Sequence, residues 1–294
     1  MNESNIHKLN SEQKELCEGN ITYDEIKEVI RNIKNNKTPG SDGLPVEFWK
    51  KFWVNIGHFL IRSYNESFEK GELSFTQKQG VITCLPKDNK PREFLKNWRP
   101  ISLLNTDYKI LTGVLALRMK KVLPDIIEQT QKGFLKERFI GENTRLVYDI
   151  MDYLNKTNKA GLLLLVDFEK AFDTLEWPYL KTVLKQYNFG DDFIQWYDII
   201  YNNSTSCVIN NGVISEFFKL GRGCRQGDPL SPYLFILSIE PLAKYIQNNK
   251  DIKGIIVEQD EFKIGQYADD TFCLLDGTEK CFGHFKKIKI KNQY

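Results

Sequence analysis

The apolar positions of this chain change period several times, and each change marks an element. Ile26, Val29, Ile30 and Ile33 recur at three- and four-residue spacing behind Thr22-Tyr23-Asp24-Glu25. A threonine three residues ahead of a glutamate is a capping box, so the spacing predicts a helix that starts there and ends near Asn36. Thr38-Pro39-Gly40-Ser41-Asp42-Gly43 is a dense cluster of turn formers that cannot continue it. Helical reading resumes over 45–68, rich in aromatics at Phe48, Trp49, Phe52, Trp53 and Phe59. Residues 80–85 read as a strand and 87–97 as a charged loop around Pro91. A helix over 105–122 carries Ile110, Leu111, Val114, Leu115 and Met119 on one side. Further helices are predicted over 143–154, 179–187, 192–201 and 229–247, the last with prolines near its start, where a helix tolerates them.

The strand signals are of three kinds. Leu162 to Val166 is an unbroken apolar run, as expected of a strand buried on both faces. Asn211-Gly212 between Val208-Ile209 and Val213-Ile214 predicts a two-residue hairpin. Two short runs, 262–266 and 271–275, flank Tyr267-Ala268-Asp269-Asp270 and predict a second hairpin with two carboxylates at its tip. Strands and hairpins scattered among helices imply an α+β fold rather than alternating βαβ units.

Composition narrows the class. The chain has 294 residues, 41% hydrophobic and 13% aromatic, enough for one large domain or two smaller ones. The net charge of +2 is unremarkable, but 81–145 holds 13 Lys/Arg against 7 Asp/Glu. A locally basic surface suits phosphate contacts, and equally a solvated lysine-rich face. The six cysteines include no C-x-x-C pair, and none of the three histidines completes a zinc pattern. They read as reduced thiols of an intracellular protein; nothing distinguishes nucleus from cytoplasm. The first 18 residues are polar and unlike a signal peptide. Apolar runs stop at a handful of residues, so no membrane partner is expected.

Paired carboxylates at a hairpin tip suit divalent metals held against a triphosphate. Nucleotidyl transfer uses two ions about 4 Å apart, and hard ions such as Mg²⁺ prefer carboxylate oxygens. A third carboxylate should end a neighbouring strand, and Asp167 directly follows 162–166. From the residues alone other readings stay open: Asp167 as a loop cap, Asp173 as the functional acid, or both at the surface.

Asp167-Phe168-Glu169-Lys170-Ala171-Phe172-Asp173 resembles the first catalytic motif of reverse transcriptases. Gly223-Cys224-Arg225-Gln226-Gly227-Asp228-Pro229-Leu230-Ser231-Pro232 is similar to their second, and Tyr267-Ala268-Asp269-Asp270 to their third. Leu85-Pro86-Lys87 and Asn97-Trp98-Arg99-Pro100-Ile101-Ser102-Leu103-Leu104 resemble the fingers motifs of the same family. Lys37-Thr38-Pro39-Gly40-Ser41-Asp42-Gly43 and Gln131-Lys132-Gly133-Phe134 favour the non-LTR (LINE-type) retrotransposon branch. The resemblance covers roughly residues 20 to 275.

The resemblance implies a right-hand polymerase with fingers and palm, the palm an antiparallel sheet with helices on one face. Its regions would be a polar lead-in 1–20, fingers 21–150 and palm 151–294, the reverse transcriptase domain as a whole running over about 66–294. It implies catalysis by Asp167, Asp269 and Asp270, with these and the Phe168 carbonyl as ligands of two Mg²⁺, Mn²⁺ being an alternative. Lys87, Arg99, Phe172, Gln226 and Gly227 would bind the nucleotide. Phe172 would exclude a 2′-hydroxyl, although a plain core phenylalanine is the alternative from the residues alone. The implied partners are an RNA template, a DNA primer and deoxynucleoside triphosphates. Only 24 residues follow Asp270, and 280–294 is lysine-rich, so a thumb is expected to be absent. Two functions compete: an RNA-directed DNA polymerase domain, or a thumbless remnant that folds and binds nucleic acid without polymerising.

Overall fold

The computed structural model describes residues 7–288. Residues 1–6 of the predicted lead-in and 289–294 of the lysine-rich tail lie outside the described residues. Three helices come first: α1 (Ser11–Glu15), α2 (Tyr23–Asn32) and α3 (Val46–Lys70). The strands β1 (Gln79–Pro86) and β2 (Trp98–Leu104) lead into α4 (Thr106–Ile126) and α5 (Ile140–Thr157). Next come β3 (Leu162–Val166), α6 (Ala171–Thr174), α7 (Trp177–Gln186) and α8 (Asp191–Tyr201). Strands β4 (Thr205–Asn210), β5 (Val213–Ile214) and β6 (Phe218–Lys219) precede α9 (Ser231–Asn248). The chain then forms β7 (Ile255–Val257), β8 (Asp260–Phe262), β9 (Ile264–Tyr267), β10 (Asp270–Leu275) and α10 (Glu279–Lys286). Helices and sheets are thus mixed along the chain.

The capping box forms as read. Thr22 accepts from the Glu25 N–H, and the Glu25 carboxylate accepts from the Thr22 N–H. Strand β2 was not marked by its hydrophobic pattern, because Arg99 and Pro100 interrupt the apolar alternation. It lies at the edge of the sheet β2-β1-β4-β5, where a proline whose nitrogen faces outward leaves no ladder bond unmade. Asn211-Gly212 turns the expected hairpin, with Ile209 opposite Ile214. In the same sheet β1 and β4 run parallel.

The second sheet, β3-β10-β9, is antiparallel throughout. Leu162, Leu164, Cys273 and Leu275 face Ala243 and Ile246 of α9. On the other face Phe272 and Leu274 meet Leu146, Ile150 and Leu154, a stripe at four-residue spacing along α5. Helices therefore cover both faces, and the expectation of one-sided packing is corrected. The expectation that β3 is buried on both faces also fails. Leu163 is 38% exposed and Leu165 76%. As the edge strand, β3 lies beyond the reach of the α5 stripe, which covers the middle strand.

Helix α4 runs through the main core and is buried around most of its surface. Its Arg118 is 3% exposed and fully engaged, pairing with Glu25 at 2.7 Å and donating to the carbonyls of Cys17, Gly19 and Asn20. The polar segment before α2 is accordingly docked. The Leu9 N–H donates to the Tyr187 carbonyl, and Glu18 accepts from the Asp192 and Phe193 N–H groups at the start of α8.

Candidate active site

The pairing of β3 with β10 ends at Val166 opposite Thr271. The next step of the same register sets Asp167 opposite Asp270, with Asp269 in the adjoining loop. Three carboxylates thus converge at one end of the sheet. Asp167 and Asp270 are exposed and Asp269 is half-buried. Burial pushes the Asp269 carboxyl above its ordinary value; its own N–H opposes this, and the negative Asp270 and Asp167 push it further up. Among the described residues no three His, Cys, Asp or Glu side chains stand close enough as they are to hold a metal ion. The backbone brings these acids together, and their side chains would have to turn inward to share a cation. Hard oxygen donors on three converging carboxylates nevertheless fit a divalent ion such as Mg²⁺.

From Asp167 the chain turns through Phe168, which packs partly into the main core, and Lys170, held at φ +51°. Phe172 is half-buried and stacks on Phe235 of α9, with centroids 4.3 Å apart and planes 20° from parallel. The loop 223–227 is tied to this segment by main chain. The Cys224 N–H donates to the Phe172 carbonyl at 2.7 Å and the Gly223 N–H to the Leu175 carbonyl at 2.8 Å. Gln226 Nε2 reaches Asp173 Oδ1 at 3.4 Å. Burial raises the Asp173 carboxyl, with that hydrogen bond and the charge of Lys170 opposing.

The same loop meets the first sheet. The Ser102 N–H donates to the Gln226 carbonyl at 2.8 Å. Gly227 adopts φ +113°, and a Cβ there would lie 2.7 Å from the Ser102 carbonyl oxygen, so only glycine fits. Arg99 is exposed three residues back along β2. Lys87 lies just past β1, its N–H donating to the Asn97 carbonyl. Period two places Lys87 and Arg99 on one face of the β1–β2 ribbon. Among the described residues neither side chain forms an ion pair or hydrogen bond. The structure therefore gathers Asp167, Asp269 and Asp270 at one point and Phe172, Gln226 and Gly227 at the next. Arg99 is linked to the second group through β2, and Lys87 stands furthest out.

The sequence model of the family described as Reverse transcriptase (RNA-dependent DNA polymerase) matches residues 85–292. The chain belongs to the reverse transcriptase family. Its relatives place it with the enzymes of non-LTR retrotransposons. It is 36% identical to the transposon TX1 uncharacterized 149 kDa protein of Xenopus laevis, over 89% of this chain and 20% of that protein. It is 25% identical to the retrovirus-related Pol polyprotein from type-1 retrotransposable element R2 of Popillia japonica, over 87% of this chain and 35% of that one. The chain thus spans between a fifth and about a third of the length of these relatives. Among solved structures, a partial Cas6-RT-Cas1–Cas2 complex matches at TM-score 0.46 and 17% identity, covering 91% of this chain and 38% of that chain.

Two features of this reverse transcriptase chain escaped sequence reasoning. Tyr108 donates its hydroxyl to Asp228 Oδ2 at 3.1 Å, while Asp228 Oδ1 accepts from the Leu230 N–H at 3.0 Å. The Arg225 guanidinium lies over the Tyr108 ring at 5.1 Å. This buried network pins the loop that carries Gln226 to α4. The second is Gln131, whose side chain reaches the Asp269–Asp270 hairpin. Gln131 stood in a recognised motif, but nothing in the sequence reports a contact spanning 137 residues.

Proposed function

We propose that this chain carries the polymerase centre of an RNA-directed DNA polymerase of the right-hand architecture, with fingers over 21–150 and palm over 151–294, the reverse transcriptase domain as a whole running over about 66–294. It would extend a DNA primer on an RNA template by transferring deoxynucleotides to the primer 3′-hydroxyl. The observation that carries this reading is the β3–β10 register, which sets Asp167 opposite Asp270 beside Asp269. Asp167, Asp269, Asp270 and the Phe168 carbonyl are the groups that would hold two Mg²⁺, for which Mn²⁺ can substitute. Bound there, the ions would lower the pKa of the attacking hydroxyl and neutralise charge on the phosphates.

The remaining residues act by position. Phe172, braced by Phe235, would form the wall that excludes a 2′-hydroxyl. Gly227 lets the loop pack against the Ser102 carbonyl, which would hold Gln226 and the loop main chain beside the incoming nucleotide. Arg99 has the fork geometry to bind phosphate oxygens in bidentate fashion, and Lys87 on the same ribbon face supplies a point charge. Catalysis rests on positioning and charge compensation, with little side-chain acid–base chemistry.

The test separates the two candidate acids. Asp167→Ala is expected to lower primer extension by about 100-fold or more, and Asp173→Ala by far less. Equal loss in both, or loss only in Asp173→Ala, would remove Asp167 from the site.

A further inference from the structure

We propose that Gln131 is a positioning residue for the Asp269–Asp270 hairpin, its side-chain amide setting the turn from which both carboxylates project. This rests on the reading of that hairpin as the metal-bearing end of the site.

The loop between Tyr267 and Asp270 has only two residues, and Ala268 occupies its first position at φ +55°. A two-residue hairpin loop with positive φ at this position ordinarily takes glycine. Alanine pays steric strain there, and such a conformation persists only where the surroundings over-determine it. The flanking strands do not supply that restraint, since Ala268 lies outside their ladder.

Gln131 supplies it. Its Oε1 accepts from the Ala268 N–H at 2.8 Å, and its Nε2 donates to the Ala268 carbonyl at 3.3 Å. One amide head thus engages both main-chain groups of the strained residue, which requires a donor and an acceptor on the same side chain. Oε1 also accepts from the Gly133 N–H at 2.8 Å, so the segment folds back on its own glutamine. Gln131 is 0% exposed and Ala268 4%, so water does not compete for these bonds.

The glutamine is itself held. Its segment adds a parallel bridge to the free edge of β9, Gln131 opposite Gln266. The Lys132 N–H donates to the Gln266 carbonyl and the Gln266 N–H to the Thr130 carbonyl, both at 2.8 Å. The Arg138 guanidinium donates to the carbonyls of Gln131, Glu128, Pro124 and Ile127, fastening the segment to the end of α4. A Cβ at Gly133 would lie 2.5 Å from the Ala268 nitrogen, so glycine permits the close approach. The clamp therefore runs from α4 through Gln131 to the turn.

Gln131→Met keeps the length and volume of the side chain and removes all three hydrogen bonds. Gln131→Glu keeps the acceptor and loses the donor, and serves if the methionine variant does not fold. Amide exchange across 262–275 and primer extension are measured on both. In Gln131→Met the Ala268 amide should exchange about tenfold faster or more while core amides in α4 keep their protection. The kcat should fall about tenfold or more with the KM for dTTP within about twofold, and Gln131→Glu should lie between this variant and the wild type. Unchanged exchange at Ala268 in the folded variants overturns the clamp. So does an activity loss matched by the loss of folded protein. If Asp269→Ala retains full incorporation, the metal-site reading fails instead, and the exchange result still decides whether Gln131 sets the turn.

Discussion

Phe172 follows Asp167 in the chain and is tied through its carbonyl to the Cys224 N–H of the 223–227 loop, and its ring is braced by Phe235, stacked at 4.3 Å. A side chain braced in this way is suited to discriminate on size. Phe172→Ala should therefore admit ribonucleotides, lowering the dTTP-over-UTP ratio of kcat/KM by about tenfold or more. Steady-state extension with each nucleotide checks it; an active variant with unchanged discrimination would return Phe172 to an ordinary core role. The acids were legible in the sequence because their identity and strand-end position are local properties. The bracing of Phe172 was not, since Phe235 lies 63 residues further on in a different helix.

At the scale of elements, α9 carries a buried charge cluster. Glu240 is 0% exposed, its Oε1 accepts from the Glu128 N–H at 3.1 Å, and Lys244 lies 3.9 Å away. Burial raises the Glu240 carboxyl to about 8; the Glu128 N–H and Lys244 oppose the rise, and the Glu128 carboxylate adds to it. Its ordinary value is 4.5, so the folded chain binds this proton more tightly than the unfolded chain. The resulting stability is fully present below pH 4.5 and is lost as pH rises through about 8, at no more than ~1.4 kcal/mol per pH unit. Glu240→Gln, which fixes the neutral form, should flatten that decline. Thermal melts should show the variant gaining on the wild type at pH 8 and matching it more closely at pH 5. A parallel decline in both would assign the pH dependence to other groups.

The elements also show where pattern reading stops. The Thr22 cap and the Asn211-Gly212 hairpin were legible because their signals lie within a few residues. Strand β2 was hidden by Pro100, which its place at the sheet edge accommodates. The openness of β3 was hidden because five consecutive apolar residues look the same whether one face or both are covered. Leu165 is exposed only because α5 covers the middle strand and not the edge.

Over the whole molecule, three long-range ties hold the site together. The β3–β10 ladder aligns the acids, the Ser102–Gln226 bond joins the loop to the first sheet, and Gln131 fixes the turn. Each joins segments far apart in sequence, so motif order announced the chemistry while the means of assembly stayed invisible. The docking of residues 17–20 through Arg118 belongs to the same category, because a polar segment carries no pattern that names its partner. Two of the three ties, the β3–β10 ladder and Gln131, meet at the Asp269–Asp270 hairpin. Extension of a DNA primer on poly(rA) with dTTP and Mg²⁺, wild type beside Asp269→Ala, is the most direct measurement of what that hairpin does. The predicted result is incorporation by the wild type that falls about 100-fold or more in Asp269→Ala at an unchanged Tm. Equal incorporation by the variant, or none by a folded wild-type chain that binds the primer–template, would contradict it.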